Sequence, residues 1–353
     1  MAIGFLRNLI NSMGKFFVTG GAGFIGSAFV RLLLDEIPSC EVTNFDALTY
    51  AGNPDNLAEL DDSRHRFVRG DIADREAVRK TIEPDTDAII NFAAESHVDR
   101  SIESASEFIR TNVLGTQVLL DVARECGVKR FLQVSTDEVM GSLPEDEGAF
   151  FIEESPFAPN SPYAASKAAA EHLVRAAHHT FSLDTVITRC GNNYGPRQFP
   201  EKFLPLLLSN ALNDELIPVY GDGKNVRDWI FVEDHCRAVL LALEQGRPGA
   251  TYNIGARNER RNIEVAESVL DALGKQRSLI RFVKDRPGHD RRYAIDPSLI
   301  ESEMGWKPRE TWDSGLRKTI DWYANNTEWV GRARSGAYRE FYARQYGVEV
   351  GAH

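Results

Sequence analysis

Short apolar runs recur along the first half of the chain and alternate with stretches in which apolar positions return every three or four residues. These are the patterns of a buried strand and an amphipathic helix. Residues 15–19, 41–45, 66–69, 88–92, 130–134 and 185–189 read as strands, and 27–36, 75–82, 107–126 and 163–181 as the helices between them. A repeated strand-helix order predicts a parallel sheet covered on both faces, which is a doubly wound α/β fold. After about residue 190 the texture changes to Pro- and Gly-punctuated segments with shorter helices at 202–212, 264–273 and 311–325. The expected organisation is a Rossmann domain over 15–190 with a return contribution near 226–256, and a smaller C-terminal α/β substrate-binding subdomain over 191–327. Residues 1–14 form an extension, Met13 lying close to where the fold begins, and 328–353 a polar tail to which no function is assigned. No flexible linker marks the boundary near Gly191, so the junction is tight and a ligand cleft is expected there.

Composition sharpens this picture. A chain of 353 residues with 42% hydrophobic content can bury more than one core, and a mainly disordered protein is excluded. The net charge of -11 repels a phosphate backbone and no basic run offsets it, so nucleic acid is not an expected partner. An anionic substrate must instead be met by locally placed arginines. Cys40, Cys126, Cys190 and Cys236 lie far apart without CxxC spacing, as expected of reduced thiols in the cytoplasm. No apolar stretch approaches membrane-spanning length. His97 and the pair His178-His179 lack ligand-like company, so no metal is expected.

The first candidate strand runs directly into Thr19-Gly20-Gly21-Ala22-Gly23-Phe24-Ile25-Gly26 and then a helical pattern. Glycines permit the tight turn and let backbone N–H groups approach a pyrophosphate at a helix N-terminus. Asp46 closes the second candidate strand 20 residues beyond Gly26, where a carboxylate accepts from ribose hydroxyls and repels a 2′-phosphate. NAD is therefore the expected cofactor. The bland alternative is a packing turn followed by a solvated strand end.

Tyr163 and Lys167 are four residues apart at the start of a helical segment and so share one face. An ammonium there lowers the phenol pKa, and the phenolate can take a proton from a sugar hydroxyl. With 10 tyrosines in the chain this spacing alone is weak. It gains weight from Ser135-Thr136-Asp137-Glu138, which ends the fifth candidate strand at the carboxyl edge of the sheet. Two adjacent carboxyl groups can serve as acid and base if their environments separate their pKa values, and otherwise they merely cap a turn. Arg227 and the basic segment 286–292 are candidates for a diphosphate, which planar guanidinium groups suit, or else for surface ion pairs.

In order, these motifs resemble those of the dTDP-glucose 4,6-dehydratases, nucleotide-sugar dehydratases of the extended short-chain dehydrogenase/reductase family. Besides the glycine turn and Ser135 to Val139, the resemblance rests on Asn91-Phe92-Ala93-Ala94-Glu95-Ser96-His97-Val98-Asp99-Arg100-Ser101 and Tyr163-Ala164-Ala165-Ser166-Lys167. It continues through Asn192-Asn193-Tyr194-Gly195-Pro196, Phe199-Pro200-Glu201-Lys202, Tyr220-Gly221-Asp222-Gly223, Asn225-Val226-Arg227-Asp228-Trp229 and Asp285 to Tyr293, covering about 15–325. The resemblance implies a lyase in deoxysugar biosynthesis. Tyr163, tuned by Lys167, would deprotonate the hexose 4-hydroxyl as hydride leaves C4 for NAD. Glu138 would then remove the C5 proton, Asp137 would protonate the departing C6 hydroxyl, and Thr136 would hydrogen-bond the 4-oxygen, before hydride returns to C6.

It further implies a cofactor site of Gly20, Gly23, Phe24, Ile25, Gly26, Asp46, Ala47, Leu48, Thr49, Asp71, Ile72, Phe92, Ala93, Ala94, Ser96, Thr111 and Asn193, with Tyr163 and Lys167. The substrate side would comprise Ser96, Thr136, Asn192, Lys202, Phe203, Pro218, Tyr220, Arg227, Asn262, Asp285, Arg286, His289 and Arg291. A homodimer through a four-helix bundle of the segments 107–126 and 163–181 is also implied, although their periodicity alone allows an intramolecular core. Met140 and Gly191 depart from the Tyr and Ser usual in the family, and bear on pocket shape rather than on proton transfer. A UDP-sugar dehydratase, a nucleotide-sugar 4-epimerase and a nonenzymatic dinucleotide-sensing protein are the alternatives. An epimerase does not need both carboxyl groups, and a sensor should have lost at least one of Tyr163, Lys167, Asp137 and Glu138.

Overall fold

The computed structural model describes residues 14–60, 63–145 and 148–334. Met13 with the rest of the extension before Gly14, and the tail beyond Arg334, lie outside the described residues. The strands are β1 Lys15–Thr19, β2 Glu41–Asp46, β3 His65–Arg69, β4 Ala88–Asn91, β5 Arg130–Thr136, β6 Thr185–Cys190, β7 Asn192–Tyr194, β8 Ile217–Tyr220, β9 Val226–Phe231, β10 Thr251–Ile254, β11 Glu259–Arg261 and β12 Ile280–Val283. Seven of them form one parallel sheet in the order β10-β6-β5-β4-β1-β2-β3.

Helices cover both faces of this sheet, which is why β4, β5 and β6 are buried at every position and carry adjacent apolar residues such as Ile89-Ile90, Phe131-Leu132 and Val186-Ile187. Phe16, Val18, Ile90 and Leu132 point to one face, against Phe29 and Leu33 of the helix Phe24–Glu36 and Val239 and Leu243 of Val232–Gln245. Phe17, Ile89 and Phe131 point to the other, against Leu119 and Val122 of Thr116–Cys126 and Val174 of Pro162–Phe181. Alternate residues of each strand thus enter separate cores, as the two-residue repeat requires.

The second lobe has its own core of Tyr194, Leu207, Trp229, Val269, Trp312 and Leu316. Its framework is β7 and β11 beside β9, β8 beside β12, and the helices Phe203–Leu212, Asn262–Leu273 and Trp312–Asn325. The chain then forms a further helix, Thr327–Ala333, where the sequence shows only a polar, aperiodic stretch. Two of its side chains, Trp329 and Val330, are buried in this core.

The expected single helix over 107–126 is interrupted. Ser106–Phe108 continues through a π-helical segment, Ile109–Gly115, into Thr116–Cys126. In that wider segment Asn112 is buried, its Nδ2 donating to Glu95 O at 3.0 Å and Ser166 Oγ at 2.8 Å, while its Oδ1 accepts from Glu95 N at 2.9 Å. Such interruptions concentrate at functional sites, and this one ties the loop after β4 to the helix carrying Tyr163.

That helix also holds a buried ion pair. Glu171 lies one turn beyond Lys167 and accepts from Nε and Nη2 of Arg189 on β6, both side chains being under 5% exposed. Removing one partner leaves a buried charge uncompensated, so Glu171→Gln should lower unfolding free energy by about 3–5 kcal/mol in urea denaturation. A loss under about 1 kcal/mol would show that water or another group compensates Arg189.

Candidate active site

The carboxyl ends of β1, β2, β4, β5 and β6 open on one cleft, lined by Gly20, Asp46, Phe92, Thr136 and Cys190 among others. The glycine turn is built by close approach. Gly20 has φ +69°, and a Cβ there would stand 2.6 Å from Ala93 N; one on Gly26 would stand 2.2 Å from Gly20 O. The helix Phe24–Glu36 begins at Gly23 without a side-chain cap and with no acidic residue in its first turn, leaving its N–H groups and dipole to face an anion. Asp46 accepts from Ala22 N at 2.9 Å and Leu48 N at 2.8 Å, and burial raises its pKa against those bonds. Each carboxylate oxygen keeps a further lone pair for a ribose hydroxyl. These residues fit a dinucleotide.

The expected cofactor residues gather here: Gly20, Gly23, Phe24, Ile25, Gly26, Asp46, Ala47, Thr49, Asp71, Ile72, Phe92, Ala93, Ala94, Ser96, Thr111 and Asn193 all line the cleft. Leu48 does not; its left-handed backbone, φ +53°, turns the chain and donates to Asp46. Thr136, Asp137, Glu138, Tyr163 and Lys167 line the inner end of the same cleft.

Asp137 is 2% exposed, and its carboxyl is held well above the ordinary value by burial and then by the neighbouring Glu138. Its Oδ1 accepts from Thr136 Oγ1 at 3.3 Å, while Oδ2 has no hydrogen-bond partner among the described residues. Burial also raises Glu138, but the cations Arg286, Arg227 and Lys202 oppose it. One carboxyl thus retains its proton more firmly than the other, the separation an acid-base pair needs. Lys167 donates to Val134 O at 2.7 Å, and burial lowers it to about 8, so it remains largely cationic at neutral pH. Tyr163 departs from expectation. Burial, with Glu138, Cys190 and Asp137, pushes its phenol well up, and a hydrogen bond with Thr136 opposes this.

A second cleft adjoins the first through Ser96, Glu138, Asn192 and Lys202, and is lined further by Phe203, Pro218, Tyr220, Arg227, Asn262, Arg286 and His289. Burial and the cations Arg286 and Arg227 lower His289 to about 4. Asp285 stands behind this cleft rather than in it, accepting from His289 Nδ1 at 2.6 Å and Arg286 N at 2.9 Å. Arg291 is not brought in at all: it pairs with Asp222 at 2.9 Å and Glu145 at 2.9 Å on the surface. Sequence reasoning passed over Asp99 and Glu201, although both stand inside the quoted motifs. Asp99 accepts from Tyr220 OH at 3.1 Å and pairs with Arg286 at 3.4 Å, and Glu201 accepts from Arg100 at 2.9 Å.

The two departures also have structural settings. Met140 is buried with Phe151 and Tyr293, its sulfur 3.7 Å from Arg189 Nη1. A Cβ on Gly191 would stand 2.7 Å from Asp228 O, so the backbone leaves little room for a side chain there.

A doubly wound fold with a glycine turn, an acidic ribose partner and a Tyr/Lys pair over the same cleft defines a dinucleotide-dependent enzyme of the short-chain dehydrogenase/reductase type. The family model described as GDP-mannose 4,6 dehydratase matches residues 17–319. The chain is 50% identical to a dTDP-glucose 4,6-dehydratase of Xanthomonas campestris, covering 93% of this chain and 98% of that one. It is 47% identical to dTDP-glucose 4,6-dehydratase 1 of Escherichia coli, over 94% and 99%. The crystal structure of DesIV, a dTDP-glucose 4,6-dehydratase from Streptomyces venezuelae with NAD bound, superposes with a TM-score of 0.88 at 50% identity, covering 90% of this chain and 99% of that one. The chain belongs to the dTDP-glucose 4,6-dehydratase family.

The raised Asp137 carboxyl has a consequence for stability. The folded protein keeps this proton at pH values where the unfolded chain, with an ordinary value of 3.8, has lost it, so rising pH above that value weakens the fold. Asp137→Asn should therefore raise the melting temperature at pH 7, and the gain should shrink as pH falls toward 4. A variant equally or less stable than the parent at pH 7 would contradict the burial argument.

Proposed function

We infer that the chain dehydrates dTDP-glucose to dTDP-4-keto-6-deoxyglucose, with NAD as its resident cofactor. The observation that carries this reading is the pair Asp137 and Glu138, two carboxyls with separated proton affinities beside Tyr163 and Lys167 in one cleft. Simple oxidation at C4 needs no such pair, whereas elimination of water across C5 and C6 needs both an acid and a base. The high identity to dehydratases with that named substrate supports the sugar nucleotide.

NAD held by the glycine turn and Asp46 would supply a hydride acceptor that is regenerated within the same cycle, so the reaction would end without net oxidation. The protein's own groups move the protons. Tyr163 takes the 4-hydroxyl proton, with cationic Lys167 one helical turn away and Thr136 bonding the oxygen. The resulting ketone acidifies C5, whose proton passes to Glu138. Asp137, protonated and shielded from water, gives its proton to the C6 hydroxyl as it leaves as water. Glu138 returns a proton to C5 as C6 is reduced. Arg227, Arg286 and Lys202 face the second cleft, where the diphosphate would lie, with Asn192, Phe203, Pro218, Tyr220, Asn262 and His289 around the nucleotide.

The same reading gives residues 15–190, with a return contribution near 226–256, to the cofactor and 191–327 to the nucleotide sugar, while Val226–Phe231 of that return pairs in the second lobe's sheet and Thr327–Ala333 adds to its core. A homodimer through a four-helix bundle is supported by Ile109, Leu114 and Phe181, each about half exposed on the two helical segments it would use. All four cysteines are unpaired, in keeping with a reducing cytoplasm. Among the described residues no helix is long and apolar enough to cross a membrane.

Purified protein incubated with dTDP-glucose should form product with the alkali-induced absorbance of a 4-keto-6-deoxy sugar, and Asp137→Asn should slow its formation about 100-fold or more. Product from UDP-glucose alone would overturn the base assignment, and no product from either sugar would overturn the reaction. Leu114→Glu should convert the dimer to monomer in sedimentation velocity. A persisting dimer would place the interface on another face.

A further inference from the structure

Ala22, at the middle of the glycine turn, is fully buried and fixed from both sides. Its N–H donates to Asp46, and its carbonyl accepts from Asn53 N and Asn56 Nδ2, each at 3.0 Å. Asn56 is 1% exposed and belongs to the short 3₁₀ turn Pro54–Leu57, which follows Thr49, Ala51 and Gly52 along the rim of the cofactor cleft. The remaining amide oxygen of Asn56 accepts from Trp329 Nε1 at 3.1 Å, across 273 residues of chain. Trp329 stands in the core of the other lobe, against Trp322 and Tyr323. Beside it Arg332 pairs with Asp55 at 2.8 Å, while Arg334 reaches Glu215 of its own lobe at 2.6 Å. A helix rooted in the nucleotide-sugar lobe therefore bonds the loop that runs on from Thr49, Ala51 and Gly52 of the cofactor cleft.

We propose that the helix Thr327–Ala333 is a cofactor-retaining strap, with Trp329 and Asn56 as positioning residues that hold the pyrophosphate turn and the cleft rim in place. The proposal rests on the dehydratase reading, which gives retention its purpose: electrons removed at C4 must be returned to C6 of the same sugar, so a cofactor lost in mid-cycle strands the intermediate. A dehydrogenase that exchanges its cofactor at every turnover has no use for such a strap. The bond is well suited to the task because both partners are buried. Without the indole N–H, the Asn56 oxygen has no water to turn to.

The test is the rate at which NAD leaves the purified full-length protein, followed by dialysis against cofactor-free buffer and by stopped-flow displacement of NADH fluorescence. Trp329→Phe keeps an aromatic ring in place and deletes only the donor; it should release NAD about tenfold faster, the scale of one buried hydrogen bond left unmade. Its keto-sugar formation should fall on dilution and recover with added NAD. Asn56→Ala should behave alike, and provides the same reading if Trp329→Phe does not fold. Thr327→Ala, an exposed change on the same helix, should leave release unchanged. Parent-like release from both Trp329→Phe and Asn56→Ala would overturn the strap, as would equal acceleration by Thr327→Ala. Parent protein that binds no NAD would instead overturn the functional reading beneath it.

Discussion

The pairing of β5 with β4 on one side and β6 on the other is the constraint on which the site depends. Its register sets Thr136 beside Cys190, so the chain leaves the sheet at Asp137 and can go only into the cleft. A strand buried on both faces cannot shift by one residue without turning its whole apolar set around, which makes this exit point as rigid as the core itself. The reactive groups are placed by packing that has no chemical role of its own. Lys167 bonds the β5 backbone, Ser166 bonds Asn112, and Asn112 fixes the loop after β4.

Electrostatics at that exit are arranged by position rather than by residue type. Asp137 and Glu138 are neighbours of the same chemistry, yet one turns into the protein and the other toward Arg227, Arg286 and Lys202. Those cations would also face a diphosphate, so a bound anion and the Glu138 carboxylate share one set of positive charges. The overall negative charge of the chain is irrelevant at this scale, because a few buried cations set the local field.

The doubly wound core was legible in the sequence because parallel strands buried on both faces leave unmistakable apolar runs, and because the glycine turn sits between one of them and a helix. The gathering of Thr136, Asp137, Glu138, Tyr163 and Lys167 in one cleft was legible for a related reason: strand ends and helix starts bring them to one edge, and their motifs are specific. What the sequence did not yield depends on distant contacts. β10 lies inside the expected return segment near 226–256, but it is only four residues long and becomes a strand by pairing with β6. Trp329 lies in a segment without periodicity, and its burial is decided by Trp322 and Tyr323. The interruption at Ile109–Gly115 follows from Asn112 reaching inward, which spacing cannot reveal. Arg291 was grouped with its neighbours on the substrate side, but Asp222 and Glu145 hold it at the surface.

The late arrival of β10 bears on how such a chain is made. It forms the outer edge of the central sheet beside β6, yet β7, β8 and β9 of the other lobe come between them in sequence. During synthesis β6 therefore emerges with one edge unpaired and stays so until residue 254 has left the ribosome. An open edge of apolar strand invites pairing with other chains. The central sheet cannot be completed until β7, β8 and β9 of the second lobe have been made, so the first lobe is not a contiguous module, and a fragment ending at residue 190 would carry an adhesive edge into solution.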